Sequence, residues 1–522
     1  SPGGGVCAGM ESGGWAGGSG CPSRGGAGRA SAADVAANAG VAAMGERGKG
    51  IRSGERVALS HYSLDAGQWE AMLGAPGATL PLLSCWADEH RVYVLLLKGD
   101  CPLMASTAVE DRRYLAPSSR FPAAEWGERV AYDLWGVEAM GASGEGQPAL
   151  DEGVWEATWP LSSRPGPGGQ AARPVPGRTV LPAEKSGLTG PLELSFDVAR
   201  GKVQGVSVNA GLAHRGVLHR MIGLTPEEAL PLVSRMTAGG FVAHPVAFCR
   251  AVAQARGLQP GPGVRDCWMI LLEIERMSVH LFDMARTARA VDAGLLATHC
   301  EHAREAIAFA CAEQGVSRRL TDLVRCDGFR AGLEIVPLAQ AVVSAMQPRM
   351  AQLRELQSVF APRLKGLAVL VPTQAREFAV GGLAGRASGR SLDVRRREAG
   401  MRLDALRSTG SSEGDGAARD ALRLNEIRDS LALIQRILGS IGMDDDEPAP
   451  EATQEGIGAA EGARGDIWYW VRLRHGKIEA VQARDPAVSL LSVLPDILKG
   501  ELPEDLPAAL RSLALSPSGV AM

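Results

Sequence analysis

The residues able to do chemistry are thinly spread in this chain. His299-Cys300-Glu301-His302 puts two imidazoles three residues apart, a spacing at which a helix can offer both to one metal ion with Cys300 or Glu301 beside them. No third ligand is identifiable, and a solvated or half-buried helix face is the plainer reading. Glu273, Glu275, Arg276 and His280 share a second stretch, with Glu273, Met277 and His280 on one helical face. They suit an ion-pair network within the domain better than a proton path. His244 suits a buried, hydrogen-bonded structural role better than a place lining an empty pocket. Nine cysteines include no Cys-x-x-Cys pair, which argues against a zinc ribbon, a thioredoxin-type site or a four-cysteine iron–sulfur site.

The elements that must position these groups can be read from patterning. At 522 residues the chain is too long for one ordinary domain. Residues 1–53 look disordered: sixteen of the first fifty are Gly, without apolar periodicity. Residues 54–165 look like a small α/β domain, with a strand at RVYVLLLK (91–98) and an amphipathic helix over 124–137 that ends near Gly136. A Pro/Gly-rich stretch covering 166–180 reads as a linker. From 181 to 522 the pattern is mainly helical, with helices expected at 226–237, 244–257, 266–290, 295–314, 333–360 and 417–441. Hairpins are expected at 191–208 and around His475-Gly476, and 444–465 reads as a flexible acidic loop. The fold class expected is α+β: a small α/β domain, then a mainly helical one carrying a small sheet.

The net charge of −4 gives no basic field for nucleic acid. No run of about 18 apolar residues predicts a membrane span, and the first residues do not have the form of a secretory signal. A reducing, cytoplasmic setting fits the cysteine pattern.

Five motifs in one order carry a resemblance. Trp126, Glu128, Arg129, Tyr132, Asp133 and Gly136 are similar to the W-x-E-R-x-x-Y-D-x-x-G helix of the 30-kDa (C-type) subunit of complex I. AHRG (213–216), LLEIERMSVHL (271–281), GGLAGRASGRSLDVR (381–395) and NEIRDSL (425–431) resemble the 49-kDa (D-type) subunit and the large subunit of membrane-bound nickel–iron hydrogenases. The fused order is that of hydrogenase-3 and hydrogenase-4 type large subunits. The resemblance covers about 54–522.

This resemblance implies a subunit of a membrane-associated oxidoreductase complex related to NADH-quinone oxidoreductase. Such a chain would lie on the cytoplasmic face of the inner membrane, beside a small iron–sulfur (B-type) partner and antiporter-like membrane subunits. His214, Arg215 and Gly216 match the loop near the partner's iron–sulfur cluster, where a cation would favour the reduced state. An equal reading has Arg215 merely capping or pairing with a helix.

The nickel ligands do not carry over. In RMTAGGFVAH (235–244) Arg235 and His244 match the ends of the early ligand motif, but Thr237 and Gly240 stand at the thiolate positions and Ala238 at a glycine. In SPSGVA (516–521), Ser518 and Ala521 stand at the late pair. Hydroxyls and hydrogen cannot replace thiolates on a soft metal, so no cofactor is expected on this chain itself. The quinone residues are also missing: GPLELSF (190–196) has no His, Ala238 takes the tyrosine position, and Leu320 takes that of a histidine near the cluster. The resemblance therefore leaves open an electron-transfer subunit with quinone as a candidate acceptor, or a non-catalytic scaffold. It disfavours an active nickel–iron hydrogenase.

Overall fold

The computed structural model describes residues 48–75, 80–99, 101–142, 148–150, 153, 155–168, 178–398, 400–443 and 449–522. The tail expected to be disordered lies outside the described residues as far as 47. Residues 48–52, by contrast, are helical, because Ile51 is buried in the first core.

That core belongs to a five-stranded sheet in which Arg91–Lys98 lies between Cys101–Ala108 and Leu82–Ala87. Side chains alternate across a strand, and here both faces are covered. Val92, Val94 and Leu96 join Trp69 of helix Ala66–Gly74 and Ala131 of helix Glu125–Trp135. Tyr93, Leu95 and Leu97 instead meet Trp468 and Trp470 of the C-terminal sheet. Burial on both faces is the physical reason this strand is a continuous apolar run.

The helix Glu125–Trp135 stops where Gly136 takes φ 67° and donates its N–H to the Tyr132 carbonyl. Its motif residues are structural joints. Glu128 accepts the Ser118 N–H, Asp133 accepts those of Ala149 and Leu150, and Trp126 Nε1 donates to the Val520 carbonyl near the chain's end.

The expected linker is shorter than its composition suggested, since Thr179–Leu181 already forms a strand; residues 169–177 lie outside the described residues. This strand pairs with the hairpin Glu193–Ala199/Lys202–Asn209, closed by Arg200 and Gly201, both at positive φ.

The helical part is organised by Pro262–Ala290, which is flanked by Gly294–Glu313, Gly416–Leu438 and Leu506–Leu513. Ile270, Ile274, Met277 and Leu281 lie in the apolar core, while Glu273, Arg276 and His280 are also fully buried. The single helix expected at 333–360 is two, Ile335–Met346 and Met350–Phe360. Pro348 lies in the turn between them, lacking an amide and crowding the preceding turn.

The loop expected at 444–465 is corrected more deeply. Residues 444–448 lie outside the described residues, but Glu455–Glu461 is the first strand of a three-stranded sheet with Asp466–Arg474 and Lys477–Arg484. Its glycines serve close packing on helix Ala243–Ala255: a Cβ on Gly458 would stand 2.2 Å from the Ala247 carbonyl oxygen.

Candidate functional site

A cavity of about 680 Å³ opens between the AHRG turn, segment 235–241, one face of the Pro262–Ala290 helix, residues 318–320 and the C-terminal segment. His214, Arg215, Thr237, Ala238, Leu320 and Ser518 line it. Gly216, Gly240, His244 and Ala521 are not among its lining residues. Gly216 takes φ 60° where the turn enters the short helix Val217–Arg220.

The rim is braced from within. Arg215 donates to the carbonyls of Arg235 and Met236, 3.4 and 2.5 Å away, which fixes the AHRG turn against the 235–241 segment. His214 stands edge-on to Trp155, and burial together with Arg215 holds its pKa below the usual histidine range. Arg235 forms an ion pair with Asp322 at 2.7 Å.

Behind the wall the positions that the resemblance sets against the nickel ligands are closely filled. His244 is fully buried, with Nδ1 3.0 Å from the Tyr469 hydroxyl and Nε2 3.3 Å from Asp485. A Cβ on Gly240 would stand 2.6 Å from the His244 ring and 2.7 Å from Thr237 Oγ1. A Cβ on Gly519, between Ser518 and Ala521, would stand 2.4 Å from Asp485 Cγ. The early and late segments thus meet around His244 and Asp485, but they bring no sulfur there. This donor set does not fit nickel.

Glu275 closes another part of the wall, accepting the N–H groups of Val242 and Ala243 at 2.8 and 3.1 Å. Burial pushes its carboxyl up to about 7, against those bonds and Arg276. Its folded value exceeds the unfolded value of about 4.3, so the native state holds the proton more tightly and stability falls as pH rises from there to 7, by roughly 1.4 kcal/mol per unit. Urea denaturation should therefore show Glu275→Gln gaining roughly 2–3 kcal/mol on the wild type between pH 5 and pH 7. A difference that stays constant with pH would refute the assignment.

Deeper in, the remaining motifs converge. Glu426 of the NEIRDSL segment is 2.7 Å from Arg386 and 3.0 Å from His280. Arg386 also pairs with Glu461, Arg276 with Glu273, and Arg395 with Asp393. All of these are buried. Burial, opposed by Arg386 and reinforced by Asp393 and Asp466, pushes Glu461 up to about 7. The arginines Arg386 and Arg395 hold Glu426 well below the usual carboxylate range despite its burial. The Glu273, Arg276 and His280 side chains therefore belong to an ion-pair network.

The His299–His302 stretch does not converge. Cys300 is buried in the core, Glu301 pairs with Arg289, and His299 bonds the Leu295 carbonyl. Among the described residues no group of three or more His, Cys, Asp or Glu side chains could hold a metal ion.

Sequence reading missed Arg304, Arg318, Arg319 and Arg464, which also line the cavity. The Arg318-Arg319 doublet was the one local signal, whereas Arg464 fell in the stretch read as loop.

Comparison with known proteins adds to this geometry. Residues 295–453 match the model of the respiratory-chain NADH dehydrogenase 49-kDa subunit family. The C/D subunit of the NADH-quinone oxidoreductase of Bacteroides fragilis is 26% identical over 325 residues, covering 58% of this chain and 60% of that one. The chain therefore spans about 60% of the length of those C/D relatives. The carbon monoxide-induced hydrogenase of Rhodospirillum rubrum is 23% identical over 341 residues, covering 62% of this chain and 94% of that one. A chain of the membrane-bound sulfane sulfur reductase, an archaeal respiratory membrane complex, shares the fold with a TM-score of 0.58 at 19% identity, over 66% of this chain and 98% of that one. The motif order, the convergence of the motif residues and these likenesses together support a kinship with the complex I 49-kDa subunit and the hydrogenase large subunits.

Proposed function

We propose that this chain is a subunit of a membrane-associated oxidoreductase complex and takes part in electron transfer coupled to a membrane arm, without a nickel site. The observation that carries the reading is the cavity itself. It stays open beside His214 and Arg215 although the neighbouring thiolate positions hold Thr237, Gly240, Ser518 and Ala521. In this reading residues 54–165 act as a C-type domain, and a D-type domain begins with the strand Thr179–Leu181 and runs to 522. His214, Arg215 and Gly216 face an iron–sulfur cluster held by a small B-type partner, and antiporter-like subunits form the membrane arm. No helix among the described residues is long and apolar enough to cross a membrane, which is consistent with peripheral attachment at the cytoplasmic face. Quinone is the candidate acceptor, and the chain itself holds no cofactor.

A second reading, a non-catalytic scaffold in the same complex, is favoured by Ala238 at the tyrosine position and by a hairpin without histidine. Titration of the native complex with a low-potential reductant and quinones separates the two. Electron transfer predicts acceptor reduction faster than with the partner subunits alone; equal rates would leave only the scaffold.

A further inference from the structure

The cavity wall carries six arginines, Arg215, Arg235, Arg304, Arg318, Arg319 and Arg464, against a single lining carboxylate, Glu275. Three of the six are neutralised from outside the wall. Arg235 pairs with Asp322, Arg318 with Glu305, and Arg464 with Asp283 at 2.8 Å. The other three have no carboxylate within ion-pair distance among the described residues. Arg215 donates only to backbone carbonyls. Arg319 is exposed at the mouth. Arg304 lies 4.8 Å over the Phe282 ring, its Nε buried without a hydrogen-bond partner.

Such an arrangement is costly when empty. A half-buried guanidinium loses hydration, and around Arg304 this loss adds to the like charges of Arg318 and Arg319, against a partial attraction from Glu305 and Asp283. An anion between these side chains would relieve both penalties. The planar guanidinium fork matches the paired oxygens of a carboxylate, phosphate or sulfate, whereas a neutral ring offers no charge to match. Phe282 supplies a flat apolar floor under Arg304, which fixes the fork's plane.

We propose that this cavity is a binding site for a small carboxylate or oxyanion, held by Arg304 and Arg319 with Arg215 at the rim. The inference takes the cavity of the proposed complex as its setting and rests on that reading for its physiological place. The anion chemistry rests on the arginines.

The test is calorimetric titration of the full chain with inorganic phosphate, sulfate and succinate, at constant ionic strength with chloride as the background. Saturable binding near one per chain is expected, weakened at least tenfold in Arg304→Gln/Arg319→Gln. Arg319→Gln alone, at an exposed and unpaired position, keeps the comparison available if the double variant fails to fold, and should weaken binding several-fold. Absence of saturable binding by all three anions, or equal affinity in the variants, overturns the proposal. So does binding by the free chain that vanishes in the assembled complex, because a partner side chain would then be the anion. Anion binding without quinone reduction would support this site and remove the electron-transfer reading; quinone reduction without anion binding would do the reverse.

Discussion

Glu426→Gln should lower the unfolding free energy by about 3–5 kcal/mol, the range for removing one member of a fully buried charge cluster. Glu426 is fully buried and reaches Arg386 at 2.7 Å, His280 at 3.0 Å and Arg276 at 3.6 Å. Glutamine keeps the shape and removes the charge. Arg386 would keep Glu461, and Arg395 would keep Asp393. Glu461, however, is itself pushed up to about 7, so the neutral amide leaves the arginine side of the cluster under-compensated. The effect carries a pH signature. A carboxylate held below its unfolded value contributes stability that is present above about pH 4.3 and lost as pH falls toward the folded value. The variant should lack that acid slope. Denaturant midpoints measured at pH 3, 4, 5 and 7 check both parts. A loss under about 1 kcal/mol would mean that solvent or another carboxylate replaces Glu426, since that is the ordinary scale for an exposed pair.

The same cluster shows how far sequence carries. Arg386, Glu426, Glu273, Arg276 and His280 are each visible within a motif, and the helical spacing of the last three is legible too. What no local pattern specifies is that separate segments, 40 residues apart for Arg386 and Glu426 and 146 for His280 and Glu426, deliver them to one point. Elsewhere the local signal was strong where burial was simple. The run Arg91–Lys98 declared a strand because both of its faces are covered, and Gly136 and the Arg200-Gly201 and His475-Gly476 turns announced themselves through positive φ. It failed where composition had two physical causes. Gly and Ala in Glu455–Glu461 look like loop residues, yet they let a strand lie directly on a helix. The cavity was half legible. His214, Arg215, Thr237, Ala238 and Ser518 lie in segments that the motifs singled out, but Arg304, Arg319 and Arg464 arrive from segments with no motif of their own.

The second large effect concerns the ligand positions themselves. Thr237→Cys, Gly240→Cys, Ser518→Cys and Ala521→Cys combined should not produce a nickel-binding chain, although the four replacements restore every thiolate the family motifs contain. Side-chain identity is only half of a metal site; the ligand atoms also need room to converge. At Gly240 even the first carbon meets the His244 ring at 2.6 Å. His244 cannot yield cheaply, being fully buried and held by Tyr469 and Asp485 on either side. Ala521 is likewise packed in the core, where a sulfur adds volume without a cavity to take it. Gly240→Cys alone should cost about 1–3 kcal/mol through overpacking, and the quadruple variant should carry far less than one nickel per chain by elemental analysis. Adding His244→Ala opens the space beside Gly240 and should raise nickel uptake relative to the quadruple variant if sterics are the block. Full nickel occupancy with His244 in place would show instead that the ring swings aside, and that the family's metal site is closed here by ligand chemistry alone.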